Sequence, residues 1–279
     1  MSLEDRQPVG VIAGAGRLPF LVATGIRKAD RPVVMVALAG LASGRLAGLA
    51  DAFVWGGLTR PSGWLRFFAR HRVHEAVMIG GVRKREMYSP LSILRYLPDL
   101  RAIRMWYFRL RKDRRDNAVL LAMAEELGSE NIELVSSVKY CTEHLADEGP
   151  MTPMPEGLSG DIEFGWRIAR ASADLDIGQT VAVKDRDIIA VEAVEGTDAM
   201  IRRAGRLCRS GGWTMVKVAR PKQDMRFDVP TIGPGTLRHL KDARCACLVV
   251  EAGKTLIADK PATLALAQHL KIAVVGKKA

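Results

Sequence analysis

The stretch Val9-Gly-Val-Ile-Ala-Gly-Ala-Gly-Arg-Leu-Pro-Phe20 decides the fold class of the first half of the chain. Its apolar start predicts a buried strand, Gly14-Ala-Gly16 predicts a tight turn, and Pro19 suits the first turn of a helix. Helical signals then run over residues 20–28, and a second apolar strand follows at residues 32–38. This order predicts a parallel sheet covered by helices on both faces.

The alternation of strand and helix signals continues to about residue 135. The further predicted elements are a strand at 52–55, a helix at 64–72, a strand at 76–80, a helix at 116–127 and a strand at 132–135. We therefore predict an α/β protein whose residues 1–141 form a Rossmann-like, nucleotide- or phosphate-binding domain.

A change of composition separates this half from the rest. Proline, glycine and acidic residues interrupt every periodicity over residues 142–159, which predicts a linker. Residues 160–279 predict a second, catalytic α/β domain, with a ligand cleft between the two domains. Its predicted helices are 161–173, 199–208, 236–242 and 261–270. Its predicted strands are 180–184, 187–191, 213–218, 245–250 and 272–275, with a tight turn at 185–186 and a hairpin at 252–254.

Composition places the chain among soluble globular proteins. The 279 residues are 48% hydrophobic and 26% charged, which excludes a disordered or fibrous protein. The four cysteines form neither a C-x-x-C pair nor a secreted disulfide framework, so we expect a reducing compartment. Cys245 and Cys247 are predicted to be small core residues on the same strand face. The acidic start is unlike a signal peptide, and a cytoplasmic protein is expected.

The formal net charge of +11 is concentrated in one segment. Residues 66–115 contain 14 Lys and Arg but only four acidic residues. Within them, residues 91–111 interleave arginines with apolar and aromatic side chains, including Trp106, Tyr107 and Phe108. Such a stretch is an ordinary solvated helical surface, a contact with an anionic membrane or amphiphilic ligand, or a nucleic-acid contact. No nucleic-acid-binding motif accompanies it, so we expect no nucleic-acid partner.

The glycine-rich turn is the first candidate for chemistry. The backbone of Gly14, Ala15, Gly16 and Leu18 can approach a phosphate or a uridine nucleotide at a helix N-terminus. Pro19 replaces the third glycine of G-x-G-x-x-G, and no acidic residue follows the second strand, so an NAD site is disfavoured. A purely structural turn remains the alternative.

The second candidate is the block of residues 217–236. Asp224 and Asp228 lie four residues apart among Lys217, Lys222, Gln223 and Arg226. Paired carboxylates with neighbouring cations can hold Mg²⁺ beside a phosphate. A structural ion-pair network is the alternative for the same residues.

The third candidate is the segment of residues 192–198. Thr197 or Asp198 can cap the next helix, or Glu195 and Asp198 can face a cleft. The five histidines show no metal-ligand spacing. The chain also lacks a G-x-S-x-G elbow and a P-loop, which disfavours serine hydrolases and P-loop ATPases.

Three of these blocks together resemble one known family. Gly10-Val-Ile-Ala-Gly-Ala-Gly-Arg-Leu-Pro, Ala190-Val-Glu-Ala-Val-Glu-Gly-Thr-Asp-Ala-Met and the block of residues 217–236 are similar to the LpxI-type UDP-2,3-diacylglucosamine pyrophosphatases of lipid A synthesis. The resemblance implies hydrolysis of the substrate to UMP and 2,3-diacylglucosamine 1-phosphate (lipid X), with attack at the glucosamine-side phosphorus. It also implies a Mg²⁺ cofactor and a homodimer that encloses its ligand between two domains.

This interpretation assigns roles to particular residues. Asp224 and Asp228 would hold the metal or orient water, and Lys217, Lys222 and Arg226 would stabilise the leaving phosphate. Residues 91–110 would receive the acyl chains and contact the cytoplasmic face of the inner membrane. Another nucleotide-sugar or dinucleotide enzyme and a basic nucleic-acid-binding protein are the alternatives. The expected substrate-binding residues are Gly14, Ala15, Gly16, Leu18, Asp116, Asn117, Thr197, Asp198, Gln223 and Thr231.

Overall fold

The computed structural model describes residues 6–82, 97–111, 116–221, 224–226 and 228–278. The chain divides into two compact units. The first comprises Met1–Thr142 and Asp224–Phe227, and the second comprises Glu143–Gln223 and Asp228–Ala279. Part of the block of residues 217–236 thus belongs to the first unit, although the sequence assigned the whole block to the C-terminal domain.

The first unit contains a five-stranded parallel sheet with the order β3-β2-β1-β4-β5. Its strands are β1 (Val9–Ala13), β2 (Val33–Leu38), β3 (Ala52–Gly56), β4 (Glu75–Ile79) and β5 (Glu133–Leu134). Its helices are α1 (Leu18–Lys28), α2 (Pro61–Arg70), α3 (Leu100–Met105) and α4 (Asp116–Gly128). The strand order is that of a Rossmann half, with the change of direction between β1 and β4. The predicted Rossmann-like sheet is confirmed.

Burial explains why these segments form a central sheet. Every residue of β1 and β2 is buried, as expected for parallel strands covered on both faces. Helix α2 packs Trp64, Leu65 and Phe68 into the core on one side. Helices α1 and α2 both have proline in their first turn, where the missing N–H group costs no helical hydrogen bond.

The second unit contains a mixed six-stranded sheet with the order β6-β13-β11-β9-β7-β8. Strands β9, β11 and β13 are parallel, whereas β6, β7 and β8 join through antiparallel pairs. The strands of this sheet are β6 (Gly149–Pro150), β7 (Thr180–Lys184), β8 (Asp187–Val191), β9 (Trp213–Lys217), β11 (Cys245–Glu251) and β13 (Ala273–Lys277). A separate two-stranded sheet consists of β10 (Thr231–Ile232) and β12 (Leu256–Ile257). The helices are α5 (Ser159–Asp174), α6 (Thr197–Leu207), α7 (Pro234–Asp242) and α8 (Lys260–His269). The predicted second α/β domain is confirmed.

Strand β6 lies within residues 142–159, the segment that the sequence predicts as a linker. It pairs with β13 at the edge of the sheet, where a proline is tolerated because its missing N–H group faces away from the ladder. The short Gly-Pro pair carries no hydrophobic periodicity, so the sequence contained no signal for this strand.

The predicted common face for Cys245 and Cys247 is wrong. Both thiols are buried, but Cys245 packs with Trp213 and Met215, whereas Cys247 packs with Val216 on the opposite face. A β-bulge between the two cysteines shifts the alternation of side chains by one residue.

The predicted hairpin at residues 252–254 is also wrong. These residues form a turn, but β12 does not return along β11; it pairs in parallel with β10 in a separate two-stranded sheet. The parallel neighbours β9 and β13 already occupy both sides of β11.

Candidate active site

A pocket of about 380 Å³ lies in the second unit. It is lined by Glu195, Gly196, Thr197, Asp198, Lys217, Thr231, Ile232 and Thr236. Lys217 ends strand β9, while Thr197 begins helix α6 and Thr236 lies in the first turn of α7. Helix N-termini favour anions because their backbone N–H groups and dipoles point outward. A buried lysine and two helix N-termini at one pocket therefore make a candidate phosphate site.

Lys217 begins a chain of hydrogen bonds behind this pocket. Its residue exposure is 5%, and its Nζ donates to Thr197 Oγ1 at 3.0 Å. Thr197 Oγ1 in turn donates to Glu192 Oε1 at 2.8 Å. Both ends of this row of hydrogen bonds are buried, since Glu192, like Lys217, is only 5% exposed. The rotamer of Lys217 is thus held by partners on a different element.

Opposing effects act on the charge of Lys217. Burial lowers the pKa of its ammonium group, because the charged form loses water. The carboxylates of Glu192, Asp198 and Asp228 raise that pKa, and the nearby guanidinium of Arg220 lowers it. The net pKa is below the ordinary value for lysine.

The two alternatives for Thr197 and Asp198 are decided by the geometry. Gly196 is the N-cap of α6, with φ of 80°, and no side chain caps this helix. The Thr197 hydroxyl faces Lys217 and Glu192, and Asp198 lies 3.2 Å from His239 Nδ1. Both residues line the pocket together with Glu195, as the cleft alternative predicts.

The loop carrying Asp224 is held by an ion pair. The Asp224 carboxylate accepts hydrogen bonds from the Arg226 backbone N–H (3.0 Å), Nε (3.0 Å) and Nη2 (2.6 Å). These bonds lower the pKa of Asp224, so the carboxylate is ionised at neutral pH. Ser136 Oγ donates to the carbonyl of Met225 at 2.7 Å and anchors the same loop. The predicted residues Lys222 and Gln223 lie outside the described residues.

The glycine-rich turn of the first unit packs against a second pair of glycines, Gly80 and Gly81. The N–H of Gly14 donates to Ile79 O at 2.8 Å, and Ala15 and Gly81 exchange two hydrogen bonds at 2.9 Å. The turn therefore packs against the end of β4, at the point where the strand order reverses. The amides of Gly14 and Ala15 serve this packing, which supports the structural alternative for these two residues. Gly16, with φ of +102°, and Leu18, at the start of α1, stay candidates for phosphate contact.

Gly14→Ala should lower the stability of the first unit. A Cβ at this position would lie 2.8 Å from Gly81 O and 2.9 Å from Gly80 C, both backbone atoms that cannot rotate away. We expect a loss of about 1–3 kcal/mol, typical of overpacking. Gly63→Ala in α2 is the matched control, since its Cβ would meet nothing within 4 Å and alanine favours the helix. Thermal unfolding followed by circular dichroism measures both; equal melting temperatures would contradict close packing at Gly14.

Comparison with known proteins identifies the family. Residues 8–144 match the LpxI N-terminal domain, and residues 149–275 match the LpxI C-terminal domain. A protein of Caulobacter vibrioides named UDP-2,3-diacylglucosamine pyrophosphatase LpxI is 31% identical over 280 residues, covering 96% of each chain. The chain belongs to the LpxI family. The resemblance drawn from three sequence blocks is confirmed over almost the whole length.

One solved structure shows a weaker likeness. UDP-glucose-4-epimerase (galE) from Stenotrophomonas maltophila, with bound NAD and formylated UDP-arabinopyranose, is 17% identical and covers 46% of this chain and 35% of its own. The TM-score is 0.29.

The donor set of this LpxI-family chain can be tested against Mg²⁺. Among the described residues, no group of three or more His, Cys, Asp or Glu side chains is placed to hold a metal ion. Mg²⁺ needs only one or two carboxylates when water and substrate phosphates complete its coordination. The exposed carboxylate of Asp228 fits that pattern. Asp224 fits only if its oxygens exchange Arg226 for the metal.

Glu192 and His239 lie beside the pocket residues Thr197 and Asp198, and the sequence predicts no role for either. In the acidic segment of residues 192–198 the sequence suggests roles only for Glu195, Thr197 and Asp198, and His239 has no second histidine at a metal-ligand spacing. Both are brought to the site by chain elements distant in sequence from Lys217. Spacing rules detect only groups on one element, so the pattern contained no signal for these contacts.

The basic, aromatic stretch is described only in part. Helix α3 continues into a π-helical turn, Trp106–Leu110, on which Phe108 is 74% exposed. Leu100 is 84% exposed beside a hollow of about 710 Å³ between α2 and α3. The hollow is lined by Ser62, Leu65, Arg66, Ala69, Pro98, Asp99, Leu100, Arg101, Ile103 and Glu130. Residues 91–96 and 112–115 lie outside the described residues, as do the side chains of the predicted contacts Asp116 and Asn117.

Proposed function

We propose that this chain hydrolyses the pyrophosphate bond of UDP-2,3-diacylglucosamine, yielding UMP and 2,3-diacylglucosamine 1-phosphate (lipid X), in lipid A biosynthesis. Membership of the LpxI family supports the activity, and the 31% identical relative carries that name. The single structural observation that supports the chemistry is the buried Lys217 at a pocket formed by two helix N-termini. A pyrophosphate carries the negative charge that such a pocket favours.

Catalysis would begin with placement of one phosphate in this pocket. The Lys217 ammonium, already oriented by Thr197, would offset the charge that grows on the phosphate oxygens. Because the donors are in place before the substrate binds, little reorganisation is needed as the charge develops. Arg226, with Lys222, would stabilise the phosphate that leaves.

The bond changes follow from the proposed point of attack. A water oxygen forms a bond to the glucosamine-side phosphorus while the bond from that phosphorus to the bridging oxygen breaks. The bridging oxygen leaves with UMP, and the water proton passes to solvent or to a carboxylate. The carboxylate of Asp224 or of Asp228 would orient the water.

We propose Mg²⁺ as the cofactor, held by Asp228 and by Asp224. When bound, the ion would offset phosphate charge and make the phosphorus a better electrophile. The Arg226 guanidinium occupies both oxygens of Asp224, so Mg²⁺ would have to displace it to bind this carboxylate.

The exposed apolar side chains of α3 and the following π-helical turn are our candidates for contact with the acyl chains and the membrane. Arginines beside them, such as Arg104 and Arg111, would be attracted to an anionic leaflet. In the described part of the chain, no helix is long and apolar enough to cross a bilayer. We propose a peripheral contact on the cytoplasmic face of the inner membrane. A homodimer, implied by the family resemblance, stays a prediction that sedimentation equilibrium would check.

Replacing Trp106, Tyr107 and Phe108 by serine should raise KM for the diacylated substrate far more than for deacylated UDP-glucosamine. Each buried CH₂ group contributes about 0.8 kcal/mol, so loss of an apolar acyl contact weakens binding only when acyl chains are present. Leu175→Ser, at an exposed apolar position of the second unit, is the control. Equal changes in KM for both substrates would leave the stretch as an ordinary helical surface.

The proposed function is tested by incubating the purified chain with UDP-2,3-diacylglucosamine in H₂¹⁸O. Phosphorus NMR and mass spectrometry should show UMP without label and lipid X carrying one ¹⁸O atom, with turnover lost on chelation and restored by Mg²⁺. UDP-glucose serves as the comparison substrate. Label in UMP would move the attack to the other phosphorus, and no UMP release would refute the function. Turnover that resists chelation would refute the proposed metal.

A further inference from the structure

Glu192 is a buried acidic residue that the proposed chemistry does not use. It directly follows β8, and its Oε1 accepts the hydrogen bond of Thr197 Oγ1. Its other carboxylate oxygen, Oε2, is buried and has no hydrogen-bond partner among the described residues. A buried carboxylate is costly unless its charge is compensated, so its presence beside Lys217 calls for a physical reason.

The direction of the hydrogen bonds connects Glu192 to Lys217. A threonine hydroxyl has one proton, and an ionised carboxylate can only accept. The Thr197 hydroxyl therefore donates its proton to Glu192 and accepts a hydrogen bond from Lys217 Nζ, 3.0 Å away. This arrangement requires Lys217 to be the donor, and a chain of this kind is polarised along its length.

Charge reinforces the same connection. The charged groups that act on Lys217 are Glu192 after β8, Asp198 on α6, and Arg220 and Asp228 in the loop that follows β9. Asp198 in turn faces His239 on α7. Glu192 is the largest contributor among the carboxylates that favour the ammonium form. Unlike the exposed Asp198 and Asp228, it is shielded from water, so salt screens its effect least.

We propose that Glu192 is a positioning residue, which acts through the Thr197 hydroxyl to aim the ammonium group of Lys217 at the phosphate of the substrate. The inference rests on the proposed function, because it takes Lys217 to bind that phosphate. Glu192 itself touches no substrate. Its effect is to keep the lysine in one orientation and to favour its charged form.

A double-mutant cycle separates this role from a merely structural one. Glu192→Gln should lower kcat for UDP-2,3-diacylglucosamine on the order of 10- to 100-fold, as expected when a charge-stabilising donor loses its orientation. In a Lys217→Met background, the same change should cost no further activity. It should also restore part of the melting temperature, since no unpaired buried carboxylate remains. An undiminished loss of kcat in the Lys217→Met background would overturn the proposal.

The titration of Lys217 gives a measurement that does not depend on turnover. Carbon NMR of ε-¹³C-lysine protein follows the Lys217 signal, which is assigned by its absence from the Lys217→Met variant. Without the Glu192 charge, the pKa of Lys217 should fall, and the alkaline limb of the kcat/KM profile should move to lower pH. Thr197→Val, which removes the connecting hydroxyl, provides a second variant if Glu192→Gln does not fold.

Glu195→Gln is the matched control for the titration. Glu195 lies three residues away but pairs with Arg203, so the Lys217 signal should titrate as in the wild type. An unchanged Lys217 titration in both Glu192→Gln and Thr197→Val would refute the inference. A wild-type chain without activity on UDP-2,3-diacylglucosamine would refute the proposed function, while the NMR titration would still decide whether Glu192 acts on Lys217.

Discussion

Lys217→Met is expected to lower kcat for UDP-2,3-diacylglucosamine on the order of 10²- to 10³-fold, the usual cost of removing a preorganised group that stabilises transition-state charge. Methionine retains most of the volume of the lysine stem, so the buried end of β9 stays filled. The variant leaves Glu192 without its cation, and a lower melting temperature is expected as well. Rates should be measured well below that temperature, with folding checked by circular dichroism.

Lys184→Met is the matched control for this prediction. Lys184 ends strand β7 of the same sheet, but its Nζ donates to Ser210 Oγ and Gly211 O rather than facing the pocket. Its replacement should leave kcat close to the wild-type value. If Lys217→Met were equally active, the phosphate would have to bind elsewhere, and the pocket at α6 and α7 would lose its proposed role.

Asp224→Ala and Asp228→Ala are each expected to lower kcat on the order of 10²-fold or more, because each removes a metal ligand or a group that orients water. The fold should survive, since neither side chain belongs to a buried core. Dependence on Mg²⁺ distinguishes the two roles: a lost ligand raises the Mg²⁺ concentration needed for half activity, whereas a lost water contact lowers kcat at saturating Mg²⁺.

Two further variants sharpen this test. Arg226→Ala should lower the Mg²⁺ concentration needed for half activity, because the guanidinium no longer competes for the Asp224 oxygens. It should also lower kcat, because Arg226 is proposed to stabilise the leaving phosphate. Asp174→Ala, at the exposed end of α5, controls for the loss of one acidic group. Turnover of Asp224→Ala and Asp228→Ala near the wild-type rate would show that the two carboxylates form a structural ion-pair network.

The structure assigns the predicted site residues to both units of the chain. Thr197, Asp198, Lys217 and Thr231, predicted from separate blocks, do line one pocket of the second unit. Asp224 belongs to the first unit with its partner Arg226. Loop length and charge suggested that these residues serve a site, but only the fold assigns each of them to its neighbours.

The turn after β1 also shows that local sequence does not identify a contact partner. Its glycines correctly indicated a close backbone approach, and the sequence left open whether the approaching group was a phosphate or the protein itself. For Gly14 the neighbour is the backbone of Gly80 and Gly81, some 66 residues later in the chain. No local pattern can identify a partner at that distance.

The sequence alone determined the order and type of the main elements, the two α/β domains and the family, because apolar periodicity, turn residues and contiguous blocks are local properties. Tertiary structure decided the rest. It placed Cys245 and Cys247 on opposite faces through a bulge, directed β12 to β10, and joined Glu192, Thr197 and Lys217 into one hydrogen-bonded chain. Each of these depends on pairing between segments far apart in the chain, where register and burial, rather than local preference, determine which groups meet.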